Sequence, residues 1–210
     1  MKSRRLITLA ALFCLGLSSV PSLLAQERKV LLVTKDEESA DLDLMLTEEV
    51  GVMQAMLQEA GFTVVVASPS GEPIAGEKTS LTPDMKIEDV EIEDYAGVIM
   101  PCLATAWEPS PVTQELVIAA VAAGKPVAAQ LGSVVTLARA GVLEGKKYAF
   151  AEGMGDNVPE FESLERAGHG VVEDGNIITS GVCPYIAPSR GLEDGTPALT
   201  RALIAKMGGE

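Results

Sequence analysis

The chain predicts an α/β fold in which a doubly wound, mostly parallel sheet carries helices on both faces. Short runs at 28–34 (RKVLLVT), 62–67 (FTVVVA), 96–100 (AGVIM) and 127–129 (VAA) are nearly continuously apolar, as strands buried on both faces are. Segments with apolar residues at helical spacing separate them. Parallel strands need such crossovers, whereas antiparallel strands can be joined by tight turns.

In chain order, 28–34 is the first strand, followed by an acidic loop at 35–44. Val50, Met53, Ala55, Met56, Leu57 and Ala60 then mark a helix closed at Gly61, because glycine takes the left-handed conformation of a helix end without a Cβ clash. The second strand, 62–67, runs into a polar excursion from Ser68 to about Glu88 that is rich in turn formers. Asp94 and Tyr95 lead into the third strand, which Pro101 ends. A helix over 109–123 places Val112, Leu116, Ala119, Ala120 and Ala123 on one face. Gly-Lys-Pro at 124–126 opens the strand at 127–129, then a sharp turn and a helix over 134–140 stopped by Gly141. Downstream, 147–151 reads as a strand, 170–173 and 176–179 as a hairpin around Asp174-Gly175, and 196–207 as the final helix.

With 210 residues, 47% of them hydrophobic and 22% charged, the composition suits one globular domain with a sizeable core. Residues 1–25 read as a secretory signal: Lys2, Arg4 and Arg5 precede an apolar run from Leu6 to Leu17. That run is shorter than the ~20 residues a membrane span takes. The expectation is an exported protein, periplasmic or secreted, with a single domain over 26–210 and no membrane association after cleavage. The formal charge of −14 becomes more negative when those three cations leave, which argues against nucleic acid or anionic lipid as partners. Cys14 leaves with the signal, so Cys102 and Cys183 remain. In an oxidising compartment two cysteines are either a pair or two buried small hydrophobes.

The pieces KVLLVT, QEAGFTVVVASPSG, IEDVEIEDYAGVIMPC, GKPVAAQLGSVVTLARAGVLEGKK, VVEDGNIITSG and LTRALI resemble, in that order, segments of the ThiJ/PfpI family. That family has the flavodoxin-like, class I glutamine amidotransferase-like fold and includes the parkinsonism-associated deglycase. The resemblance covers 29–206 and implies a strained strand-to-helix turn after Gly-Lys-Pro bearing a nucleophilic cysteine. Aligned without a gap, that cysteine falls on Leu131, and with one slipped residue on Gln130. Neither side chain can form the covalent intermediate of that chemistry. The glutamate that hydrogen-bonds the cysteine in relatives falls on Glu49. Where relatives have Pro-Gly-Gly, whose amides help build an oxyanion site, this chain has Pro101-Cys102-Leu103. Side chains restrict the backbone conformations that present paired amides.

Among the remaining candidates, Ser133 lies two residues beyond the nucleophile position and is either a substitute attacker or a cap of the following helix. His169, the only histidine, sits in a glycine-flanked loop, where exposure is the ordinary outcome. One histidine and two mature cysteines leave a tetrahedral zinc site without its usual ligands, so neither metal nor cofactor is expected. Cys102 and Cys183 both follow strands, at the carboxyl edge where such sheets carry their crevice. They are expected to be neighbours joined by a disulfide, the alternative being a displaced reactive thiol at Cys102 facing Glu49. Trp107, Tyr185 and Arg190 fall in loops after the same strands, as a rim to the crevice or packed onto the domain, with Arg190 ion-paired to Glu193 or Asp194.

The function these readings imply is a non-catalytic, homodimeric small-molecule-binding or interaction protein. It would use the degenerate pocket around Glu49, Cys102, Gln130, Leu131 and Ser133. Dimers are common in the resembling family. The alternative is a divergent hydrolase or lyase of peptidase, deglycase or glyoxalase type, with Cys102 or Ser133 as attacker and Glu49 as its acid–base partner.

Overall fold

The first strand, β1 (Lys29–Val33), enters a helical stretch made of α1 (Leu42–Leu44), a π-helical segment (Met45–Gly51) and α2 (Val52–Glu59), and β2 (Thr63–Ser68) follows. These elements belong to a computed structural model that describes residues 28–36, 41–103 and 108–208. The expected signal at 1–25 and Trp107 lie outside those residues. The helix begins at Leu42 rather than near Val50, capped by the Asp41 side chain, which accepts from the Leu44 amide. Its π-helical turns bury Met45, Leu46, Glu49 and Val50 together on one face.

The polar excursion after β2 is ordered. β3 (Ile74–Ala75) and β4 (Ser80–Leu81) form a small hairpin, and β5 (Met85–Lys86) adds a strand parallel to β2. The Asp43 carboxylate clamps this hairpin by accepting from the amides of Glu77, Lys78 and Thr79 and from the Thr79 hydroxyl. Next come β6 (Tyr95–Met100), α3 (Pro111–Ala122), β7 (Val127–Gln130) and α4 (Gly132–Arg139). β8 (Lys147–Ala149) pairs in parallel with β9 (Glu165–Gly168) as a separate ribbon, so the strand expected at 147–151 is shorter and lies outside the main sheet. The hairpin of β10 (Val171–Asp174) and β11 (Ile177–Ser180), then α5 (Ala187–Arg190) and α6 (Thr196–Lys206), complete the chain.

The central sheet has seven strands in the order β10-β11-β7-β6-β1-β2-β5. All neighbours are parallel except β10 and β11, so the predicted doubly wound, mostly parallel architecture is the one observed. From β1 the chain moves outward to β2, then crosses back to β6 and continues to β7 and β11 on the other side. The reversal lies between β1 and β6, and open sheets of this type bind ligands outside the carboxyl ends of their strands at such a point.

Val30, Leu31, Leu32, Val98, Ile99, Val127, Ala128 and Ala129 are wholly buried, as expected of central strands covered on both faces. The alanines of β7 leave room for α4 and α6, which both pack on that strand. Gly181, just past β11, is required by close approach: a Cβ there would come within 2.6 Å of the Phe150 backbone. Truncating one core side chain, Leu32→Ala, should cost about 2–5 kcal/mol. Urea unfolding would show this as a lowered midpoint at unchanged slope.

Candidate functional site

β7 ends in a sharp turn at Leu131, which has φ 28° and ψ −93°. Such a conformation costs a non-glycine residue about 1–3 kcal/mol. The turn is held by the Leu131 amide donating to Ser180 at 2.7 Å and the Val134 amide donating to Leu131 at 2.9 Å. The Leu131 side chain is 2% exposed and packs into the core. Ser133 lies in the first turn of α4, and its hydroxyl donates to the Pro101 carbonyl at 2.6 Å. It is therefore neither a cap nor a free hydroxyl, because its proton is committed to the loop after β6. Gln130 is buried and faces the other way, its amide nitrogen donating to the Val182 carbonyl and the Thr196 hydroxyl.

Across from this turn, the carboxylate of Glu49 accepts from two consecutive backbone amides: Cys102 to Oε1 at 2.8 Å and Leu103 to Oε2 at 2.9 Å. Leu103 has φ 49°, and it and Leu131 are the non-glycine residues with positive φ among the described residues. The paired amides thus exist although side chains at 102 and 103 restrict the backbone that presents them. Two bonds to one carboxylate hold the strained turn. Glu49 is fully buried; burial pushes its carboxyl well above the ordinary 4.5, with the nearby Cys102 sulfur and Asp194 adding to the effect and the two amides opposing it.

The Cys102 sulfur receives the Gly132 amide at 3.4 Å, and the Lys35 ammonium donates to the Cys102 carbonyl at 3.1 Å. A Cβ on Gly132 would lie 3.3 Å from both Cys102 Sγ and Lys35 Nζ, so glycine lets three segments close on one another here. Cys183, after β11, is hydrogen-bonded to Cys102, and that contact together with burial pushes its thiol far above the usual range. Both cysteines are free thiols. The structure thus brings Cys102 and Cys183 together as neighbours without a bond between them.

Of the expected pocket, Glu49, Cys102, Leu131 and Ser133 are each no more than 2% exposed, as is Cys183, and Gln130 is bonded elsewhere. The open space lies beside these residues. A cavity of about 150 Å³ sits at the β1/β6 reversal, lined by the end of β1 and the residues to Asp36, Pro69, Met100, Glu108 to Ser110 before α3, Thr113, and Ser133 and Thr136 of α4. Of the five pocket residues expected from the sequence, Ser133 alone lines it. Lys35 and Thr136 were missed, although a lysine directly after the first strand was the available signal. His169 is exposed. Tyr185 is 43% exposed, and Arg190 donates to the Glu152 carbonyl instead of pairing with Glu193 or Asp194.

The DJ-1/PfpI family model matches residues 28–187, and the chain belongs to that family. An uncharacterised protein of Methanocaldococcus jannaschii is 32% identical over 201 residues, covering 90% of this chain and 92% of that one. An uncharacterised protein of Archaeoglobus fulgidus is 35% identical over 130 residues, covering 59% and 75%. Among solved structures, the ThiJ/PfpI domain protein from Brachyspira murdochii aligns with a TM-score of 0.68 at 20% identity, over 87% of this chain and 98% of that one. Schizosaccharomyces pombe DJ-1 aligns at 0.63 and 14% identity, over 86% and 95%. At these identities the structural likeness speaks for the fold.

Because the Glu49 carboxyl holds its proton more tightly in the folded chain than in the unfolded one, its contribution to stability is complete below pH 4.5. It is lost as pH rises through the elevated folded value. Urea midpoints measured from pH 4.5 upward should therefore fall for the natural chain and fall less steeply for Glu49→Gln. The variant should also be less stable by about 1–3 kcal/mol, having kept one acceptor oxygen of two.

Proposed function

We propose that this DJ-1/PfpI family member is a non-catalytic small-molecule-binding protein, exported and homodimeric, whose ligand occupies the cavity between the ends of β1 and β6. The observation that carries this reading is that Glu49 already fills the paired amides of Cys102 and Leu103. Acyl-transfer and related chemistry needs such donors free for charge that develops in the transition state, and here they hold a resident carboxylate. The strand-to-helix turn that bears the cysteine in relatives carries the inward-packed Leu131, a side chain without nucleophilic character.

One observation favours the catalytic alternative. The amide of Gly132, first residue of α4, is aimed at the Cys102 sulfur, and a helix N-terminus stabilises a thiolate. Against it, the sulfur is 2% exposed and shares a hydrogen bond with the Cys183 thiol. Ser133 is the weaker candidate, its proton being donated to Pro101.

Purified mature protein incubated with methylglyoxal, and separately with a peptide substrate, should show no turnover above buffer. A Cys102→Ala variant should behave identically. Turnover in the natural chain that disappears in Cys102→Ala would establish the displaced-thiol enzyme instead. Light scattering of the same preparation should give twice the mass of the mature chain, and intact mass of the exported product should show loss of the leader near residue 25.

A further inference from the structure

We infer that Cys102 and Cys183 form an oxidation site, at which a peroxide converts the two neighbouring thiols into an intramolecular disulfide, with Cys102 as the sulfur oxidised first. The inference concerns the buried thiols and stands whether or not the adjoining cavity holds a ligand. Proximity comes first. Cys102 follows β6 and Cys183 follows β11, with β7 between those strands in the sheet. Their side chains are nevertheless hydrogen-bonded to each other, and neither is in a disulfide. Two sulfurs in contact have a reaction open to them that a single buried thiol lacks.

The surroundings of the two sulfurs differ, and the difference sets the order. Cys102 Sγ accepts from the Gly132 amide, at the start of α4, at 3.4 Å. It also accepts from the Cys183 thiol, the donor of the bond between them. The Lys35 ammonium, bonded to the Cys102 carbonyl, lies close by, since a Cβ on Gly132 would be 3.3 Å from both it and Cys102 Sγ. Two donors and a nearby cation favour negative charge on sulfur, and thiolate character governs reactivity toward oxidants. Glu49 opposes them, its carboxyl being bonded to the Cys102 amide. Cys183 has the weaker position: it is buried and gives its proton to Cys102, and both effects hold its thiol far above the usual range. Cys102 is therefore the better nucleophile of the two, and Cys183 the thiol that follows.

Burial selects the oxidant. Cys102 is 2% exposed and Cys183 0%, which bars a bulky disulfide from attack along the sulfur axis, whereas hydrogen peroxide is little larger than water. In the first step the peroxide O–O bond breaks and the Cys102 sulfur takes one oxygen as a sulfenic acid, its thiol proton leaving with the other oxygen as water. In the second the Cys183 sulfur displaces that oxygen. The S–S bond forms, the S–O bond breaks, and the Cys183 proton leaves with the oxygen as a second water. Two electrons thus pass from the thiol pair to one peroxide. The product fastens the loop after β6 to the segment after β11, adding a covalent tie to those that Glu49 and Ser133 supply.

Peptide mapping tests this on the natural chain. The reduced, folded protein is exposed to hydrogen peroxide, then denatured, alkylated and digested without reductant. The expected result is a linked pair of peptides joining Cys102 to Cys183, loss of alkylation at both, and its return after dithiothreitol. Oxidised glutathione at the same concentration should leave both thiols open to alkylation. Dimedone present during peroxide treatment should trap a fraction of the chains as a sulfenic acid adduct on Cys102 and none on Cys183. In Cys183→Ser, which lacks the second thiol, the adduct should be carried on Cys102 throughout, and the natural chain still reports the order if that variant fails to fold. The inference is overturned if peroxide leaves both thiols alkylated, if it drives Cys102 to the sulfinic acid without a linked peptide, if dimedone marks Cys183 instead, or if oxidised glutathione closes the pair as fast as peroxide.

Discussion

The carboxylate of Glu49, held between two consecutive amides, is the interaction on which the site depends. It joins the π-helical turn after β1 to the loop after β6, two segments far apart in sequence. That loop needs the help. Leu103 sits in a left-handed conformation that costs about 1–3 kcal/mol, and a hydrogen bond contributes about 0.5–1.5 kcal/mol, so the two amide bonds to Glu49 are comparable with the strain. Without Glu49, two amides would lie buried and unpaired beside a strained residue.

From that anchor the contacts run in one chain. Cys102, fixed through its amide, presents its sulfur to the Gly132 amide and its carbonyl to Lys35. Ser133 returns to the Pro101 carbonyl from the other side. The loop after β6 and the first turn of α4 are thereby locked together, which closes the space above Leu131 and leaves the cavity on the β1 side as the available opening. The same contacts set Lys35 in the cavity wall, bonded to the Cys102 carbonyl.

The fold was legible because its evidence is local and redundant: four apolar runs, each buried on both faces, separated by helical crossovers. What escaped was structure whose signal is short or whose period is unusual. The two-residue strands β3, β4 and β5 are too brief for alternation to register, and the first turn of the helix, from Leu42, lies in an acidic segment that reads as a loop. Grouping Glu49, Cys102, Leu131, Ser133 and Cys183 at one end of the sheet needed only strand order. Their closure needed side-chain packing, and so did the place of Thr136 in the cavity wall, which periodicity assigns to an unremarkable helix face. The glycine rule failed at Cys102-Leu103 for a definite reason: it weighs backbone strain alone, and here a buried carboxylate supplies the compensation.

Leu131 poses a physical question of its own, since its strained turn carries an inward-packed apolar side chain. Burying a leucine side chain is worth about 1.5–3 kcal/mol, comparable with the strain of its backbone, and Leu131 is almost completely buried. A sharp turn at this place can therefore be maintained by packing of its apolar side chain. Removing that side chain would remove the compensation and keep the strain, so the residue is better understood as part of the core than as a vestige of a site. Persistence of the turn in a fold of this kind is then evidence about packing. Evidence about chemistry has to come from what the surrounding amides bind, and here they bind Glu49.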